Sequence, residues 1–332
     1  MKFGLNMGVS HREPLTRAAE IVCRAEEAGF DCFYFIDSQL IVKDVFVTLT
    51  LCAQKTKRIL LGTGVTNPVT RDLTVLASAF SALQEVSSGR AVIGMGSGGS
   101  ATESIGYKPA TVREIEGSIR VLRGLLGQEV VQYRGKEVRL LTSQGPIPIF
   151  ISASQPKMLS LAGKLADGVI VMGSSIPHLV EEQISFVLAG LKESGRERKD
   201  LIIDLWQTIA VSDDRKTALN DVKPWVASQS KWWWSRASEM PTEISAAVRE
   251  DEIKQATLSY DIYEHLSRNA GHKDLVSDEL ANGMAIAGDA SYCFDKLNAL
   301  TNLGVDQITL SLLSGGRQER LETLSRLTRP LT

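Results

Sequence analysis

RILLGTGVTNPVTRDLTVLASAFSALQEVSSGRAVIGMGS, residues 58–97, decides the fold. Arg58 to Val65 is an apolar run of strand length, and Arg90 to Ser97 is a second. The stretch from about Asp72 to Val86 between them has helical period. Strand, helix and strand joined by short turns make a parallel unit, because two parallel strands need a crossover between them.

The same alternation extends in both directions. Toward the amino end, Phe3 to Val9 reads as a strand, with a helix from about Pro14 that stops at Gly29. Asp31 to Asp37 is the next strand and Asp44 to Gln54 its helix. Toward the carboxyl end, a helix from about Val112 to Leu126 is followed by a polar stretch, Glu129 to Leu141. That stretch alternates around Arg134-Gly135 like a β-hairpin. Ile147–Ser152, Asp167–Met172, Leu201–Val211 and Asp306–Leu312 complete eight strands. The helices among them open near Pro156, Pro177 and Ala290, and a terminal helix spans Gln318–Leu327. Eight strand–helix units predict a (β/α)8 TIM barrel, with a doubly wound sheet ranked second. The chain reads as one domain, 1–332, carrying a helical insertion of about 220–284 between strands seven and eight. That insertion is expected at the carboxyl end of the barrel, where such folds build their active sites. The Trp232-Trp233-Trp234 run near its start either packs within it or faces substrate.

The composition agrees with a globular enzyme. The 332 residues are 43% hydrophobic and 23% charged, with a net charge of −2. Disordered and fibrous classes are excluded. Dispersed Lys and Arg argue against nucleic acid or an anionic membrane as the principal partner. No signal-peptide pattern and no 18-residue apolar stretch is seen, so a soluble, cytoplasmic protein is expected. Cys23, Cys32, Cys52 and Cys293 form no CxxC pair, and the four histidines lack metal-ligand spacing, so no metal is expected.

Chemistry then falls to small polar residues at the strand ends. Gly96-Ser97-Gly98 closes strand four, Ser152-Ala153-Ser154 strand five and Gly173-Ser174 strand six. Such clusters either make tight turns or bring backbone N–H and hydroxyl donors to an anion. Gly64, Val65, Thr66 and Asn67 follow strand three, where glycines weaken packing and point to an unusual backbone. Asp37 and Ser38 close strand two; Asp37 either caps the next helix or touches a ligand.

Together these residues resemble the bacterial luciferase-like superfamily of flavin and deazaflavin oxidoreductases, in the branch of methylenetetrahydromethanopterin reductases. GVTNPVTR (64–71) and SGRAVIGMGSG (88–98) carry the likeness, with PIFISASQPKMLSLAGKLADGVIV (148–171). The resemblance implies a homodimeric barrel binding FMN or a deazaflavin at its carboxyl rim. It implies a cis peptide at Gly64–Val65 behind the tricyclic ring, and a ribityl phosphate near Gly96–Gly98 and Ser152–Ser154. Many relatives carry Asp-His or Glu-His after strand two, where this chain has Asp37-Ser38. Serine does not titrate near neutrality, whereas a hydride-transfer enzyme commonly uses that imidazole. The expectation that follows is an FMN-dependent monooxygenase, with reduced flavin from a separate reductase, dioxygen and a small organic substrate. The catalytic positions are Asp37 and Ser38. The alternative is a deazaflavin (coenzyme F420)-dependent reductase or dehydrogenase, and a third reading is a non-catalytic flavin-binding barrel.

Overall fold

In the computed structural model the apolar runs become the staves of a closed parallel barrel. The structure describes residues 1–172, 174–234, 254–255 and 258–332. In chain order, β1 (Lys2–Met7) leads to α1 (Leu15–Glu27), and β2 (Cys32–Phe35) to α2 (Val45–Lys55). Next, β3 (Leu60–Thr63) leads to α3 (Leu73–Val86), and β4 (Ala91–Met95) to α4 (Gly99–Glu103) and α5 (Val112–Leu126). An antiparallel hairpin, β5 (Val131–Tyr133) with β6 (Lys136–Val138), precedes β7 (Ile149–Ala153) and α6 (Pro156–Leu165). Then come β8 (Gly168–Val171), α7 (Pro177–Glu193), β9 (Ile202–Gln207), β10 (Ile209–Val211) and α8 (Arg215–Trp234). The chain finishes with α9 (Asp278–Met284), β11 (Ile286–Gly288), α10 (Ala290–Thr301), β12 (Gln307–Ser311) and α11 (Arg317–Thr328).

Eight strands close the barrel in the order β1-β12-β9-β8-β7-β4-β3-β2. Strand alternation then divides the core in two. Residues such as Leu5, Ile93, Ile151, Ile203 and Leu205 face outward into the layer beneath the helices. Cys32, Tyr34, Val92, Phe150, Ile170 and Trp206 fill the barrel interior.

Two polar clamps seat the amino end of the barrel. The Glu26 carboxylate accepts the amides of Lys57, Arg58 and Ile59 where the chain enters β3. Burial works against its charge, yet those N–H donors hold the Glu26 carboxyl below its usual range. Arg90, just before β4, donates to the carbonyls of Ala53, Thr56, Ile59 and Ser87 and to the Thr56 hydroxyl. Its guanidinium satisfies the last carbonyls of α2, which the helix cannot pair itself.

Three sequence expectations need correction. The run Leu201–Val211 is two strands: after Thr208 the chain leaves the barrel, and β10 pairs in parallel with β11. The helical excursion starts earlier than Asn220, which lies inside α8. A short helix, α4, precedes the helix expected from about Val112 as the first one after β4. Around α8 and α9 a satellite core of Leu219, Val222, Val226, Leu280 and Met284 also takes in Leu313 after β12. Of the expected insertion, 220–284, residues 235–253, 256 and 257 lie outside the described residues. The side chains of Trp232–Trp234 lie outside them too. Among the described residues no helix is long and apolar enough to cross a membrane, and no cluster of possible metal ligands occurs.

Candidate active site at the carboxyl rim

Strand β3 stops at Thr63, and the Gly64–Val65 peptide that follows is cis. The ladder then resumes one step later. Gly64 N–H donates to Phe35 O at 2.6 Å, Thr66 N–H to Gly94 O and Gly96 N–H to Thr66 O, both at 2.9 Å. This segment is therefore stitched between the ends of β2 and β4. Space is short on both sides of it. A Cβ on Gly64 would lie 2.7 Å from Trp206 Cη2, and one on Gly96 2.8 Å from Val65 Cγ2.

Asp37 leaves β2 and is held in place by this loop. Arg71 meets it with two parallel bonds, Nε to Oδ2 at 2.8 Å and Nη2 to Oδ1 at 2.9 Å. The Thr66 hydroxyl donates to Oδ2 at 2.7 Å. Arg71 also reaches Asp44, whose carboxylate caps α2 through the amides of Phe46 and Val47. Burial opposes charge on Arg71, but its bonds to Asp37 and Asp44 outweigh this and raise its pKa. The Asp37 side chain is only 4% exposed, with both oxygens committed. Its contacts tie the chain after β2 to the loop after β3. Ser38 is similarly engaged: its hydroxyl lies 2.6 Å from that of Ser100, and the Gln39 amide donates to Ala101 O. Position 38 thus ties the chain after β2 to α4.

The glycine cluster after β4 makes a tight turn. Gly98 has a left-handed φ of +102°, and a Cβ there would lie 2.7 Å from Thr102 Cγ2 and 2.9 Å from Asn67 Cγ. Asn67 is fully buried, and its Oδ1 accepts the amides of Val69 and Thr70, so this side chain shapes the loop. The amides of Ser97 and Gly98 meanwhile donate to no backbone carbonyl among the described residues. The Ser97 and Ser154 side chains are each half-buried, and the Ser152 hydroxyl donates to Met172 Sδ at 3.2 Å. Ala153 is buried and contributes packing. Ser174 is inward-committed: its hydroxyl accepts from Ile176 N–H, and its carbonyl accepts from Gln207. Gly173 lies outside the described residues.

Below this rim a polar node sits among the apolar side chains of the barrel interior. Asp204 Oδ2 accepts from Trp206 Nε1 at 3.0 Å, Gln307 Nε2 at 2.6 Å and Thr309 Oγ1 at 3.0 Å. Burial pushes the Asp204 carboxyl up to about 6 against those bonds, and pushes Tyr34 and Cys32 beside it up as well. Arg71 and this interior node are the site residues that the sequence analysis did not single out. The available signal was a lone carboxylate within the strand-length run IIDLW.

A parallel eight-stranded barrel with a glycine-lined carboxyl rim defines a class of ligand-binding (β/α)8 proteins. The sequence narrows it further: a model of the family described as "Luciferase-like monooxygenase" matches residues 1–307. The chain belongs to the bacterial luciferase-like family of oxidoreductases. It is 31% identical to 5,10-methylenetetrahydromethanopterin reductase of Methanolobus tindarius, covering 96% of this chain and 97% of that protein. To the F420-dependent glucose-6-phosphate dehydrogenase of Nakamurella multipartita it is 27% identical, covering 83% and 88%. The structure of coenzyme F420-dependent tetrahydromethanopterin reductase from Methanopyrus kandleri superposes with a TM-score of 0.79 at 25% identity. That match covers 100% of this chain and 99% of the other.

Proposed function

We propose that the protein is a deazaflavin (coenzyme F420)-dependent reductase or dehydrogenase, similar in reaction type to the methylenetetrahydromethanopterin reductases. The observation that carries this is a 31% likeness, over nearly the whole of both chains, to a protein named for that reduction. Relatives named for F420 favour it over the FMN monooxygenase expected first. That expectation leaned on the missing imidazole at Ser38, and a position turned toward Ser100 does not discriminate between the two chemistries.

The residues present fit the cofactor. The amides of Ser97 and Gly98, which have no backbone partner among the described residues, would hold its phosphate with the hydroxyls of Ser97 and Ser154, and with that of Ser152 once it is released from Met172 Sδ. Gly64–Val65 would back the ring, leaving the ring's other face to the substrate. When bound, the deazaflavin supplies a hydride carrier without oxygen chemistry, because carbon replaces N5. The chain's own work is positional. Arg71, Asp37 and Thr66 lock the loop that would back the ring, and Trp206 packs against Gly64 within it. Rigid supports of this kind gain rate by fixing the reacting atoms in one geometry.

Anaerobic titrations of the pure protein with F420 and with FMN, read by fluorescence quenching, test the proposal. Tight binding of F420, and loss of its visible absorbance on adding a hydride donor, is the expected result. Tight binding of FMN alone overturns it.

A further inference from the structure

The polar node inside the barrel has a direct mechanical link to the rim. Asp204 and Trp206 lie two apart on β9, so both side chains point into the barrel. The register places Gln307 and Thr309 of β12 opposite them, and all three donors converge on the single oxygen Oδ2. Oδ1 has no hydrogen bond among the described residues. The Trp206 indole therefore has its N–H end fixed by a buried carboxylate. The far end of the ring lies against Gly64, where not even a methyl group would fit. Tyr34 packs on the same indole, with ring centroids 5.3 Å apart.

We propose that Asp204 is a positioning residue: by gripping the Trp206 indole N–H it sets the aromatic prop under Gly64–Val65, and so the surface that receives the cofactor ring. The inference rests on the reading of that surface as the ring's site. A carboxyl with no opposite charge beside it is a costly way to anchor one indole, and a neutral amide could accept the same bond. What the carboxylate adds is a stronger, charge-assisted acceptor. Its grip weakens on protonation. Of the titratable groups facing Asp204, Cys32 and Tyr34 on β2 are both pushed upward by burial and stay neutral through the range in which Asp204 titrates. From β12, Gln307 and Thr309 carry no charge. Protonation of this one group thus loosens the prop, and cofactor affinity falls as the pH drops through about 6.

The test uses the full chain with Asp204→Asn, Trp206→Phe and the double variant. In the wild type, the indole N–H resonance that disappears in Trp206→Phe should shift between pH 5 and 7, and should stop titrating in Asp204→Asn. Each single variant should weaken F420 binding about tenfold, in line with one hydrogen bond to a charged group. The double variant should bind as Trp206→Phe does, because Asp204 acts through the indole. Overturning results are a Trp206 resonance that is flat with pH, or a full Asp204→Asn penalty persisting in the Trp206→Phe background. The resonance needs no cofactor, so it is read even if the protein prefers FMN, in which case the affinities are measured with FMN instead. If Asp204→Asn fails to fold, the wild-type resonance and its assignment by Trp206→Phe still decide the matter.

Discussion

Replacing Arg71 by Met tests how the rim is held. The substitution keeps much of the aliphatic stem and removes the guanidinium, leaving the Asp37 carboxylate, 4% exposed, with only the Thr66 hydroxyl. Breaking a buried pair from one side costs about 3–5 kcal/mol. Arg71 is itself 23% exposed, so water screens part of the interaction, and the lower end, about 3 kcal/mol, is expected. The second bond, to the half-exposed Asp44, adds at most a few tenths. Asp37→Asn turns an amide toward the guanidinium and should cost about 2 kcal/mol. Once Arg71 is Met, that same change removes a stranded charge. The double variant should therefore be more stable than the sum of the singles by about 2 kcal/mol. Urea unfolding, with midpoints compared at equal slopes, measures all four corners of the cycle. A coupling below about 0.5 kcal/mol refutes the claim that the pair is a buried, cooperative clamp. The clamp also predicts that both single variants lose cofactor affinity.

Gly98→Val should weaken cofactor binding at least tenfold, since a side chain there strains a left-handed φ and collides with Asn67 and Thr102; an unchanged titration would remove this loop from the site. Arg90→Met should lower stability by about 3 kcal/mol while leaving KM and kcat near wild type, because its bonds lie at the opposite end of the barrel. Altered kinetics at unchanged stability would contradict that separation. Asp204 predicts a stability profile of definite sign. Its folded pKa, about 6, exceeds the ordinary 3.8, so the folded state prefers the proton. The contribution is full below 3.8 and lost as pH rises through about 6, a change of about 3 kcal/mol. Asp204→Asn should flatten that stretch of the unfolding profile, and identical profiles for variant and wild type would exclude it.

What the sequence made legible was local. Strand and helix followed from period, and the hairpin from Arg134-Gly135, whose φ values of 50° and 78° are those of a tight turn with two left-handed residues. The cis bond at Gly64–Val65 was legible only through family likeness. The break between β9 and β10 was hidden, because two polar residues, Gln207 and Thr208, are all that separates the apolar stretches, and period alone does not reveal a change of partner. Asp37 and Arg71, or Asp204 with Gln307 and Thr309, meet only after the barrel closes. Their separations of 34, 103 and 105 residues leave no periodic trace. Ser38 misled for a related reason: its partner Ser100 comes from a helix too short to announce itself.

The small β10–β11 ladder has a consequence for how this barrel could diversify. Ile209 faces Ile286 and Val211 faces Gly288, so the departing and returning chains are zipped together at the root of the excursion. The closure entropy of the long stretch between them is met at that zipper rather than by the barrel strands. Lengthening such a stretch then costs little, about 0.6 kcal/mol for each doubling. The excursion is in effect a socketed cassette: its contents can be exchanged, by drift or by grafting, while the ladder keeps the frame shut and the barrel strands in register.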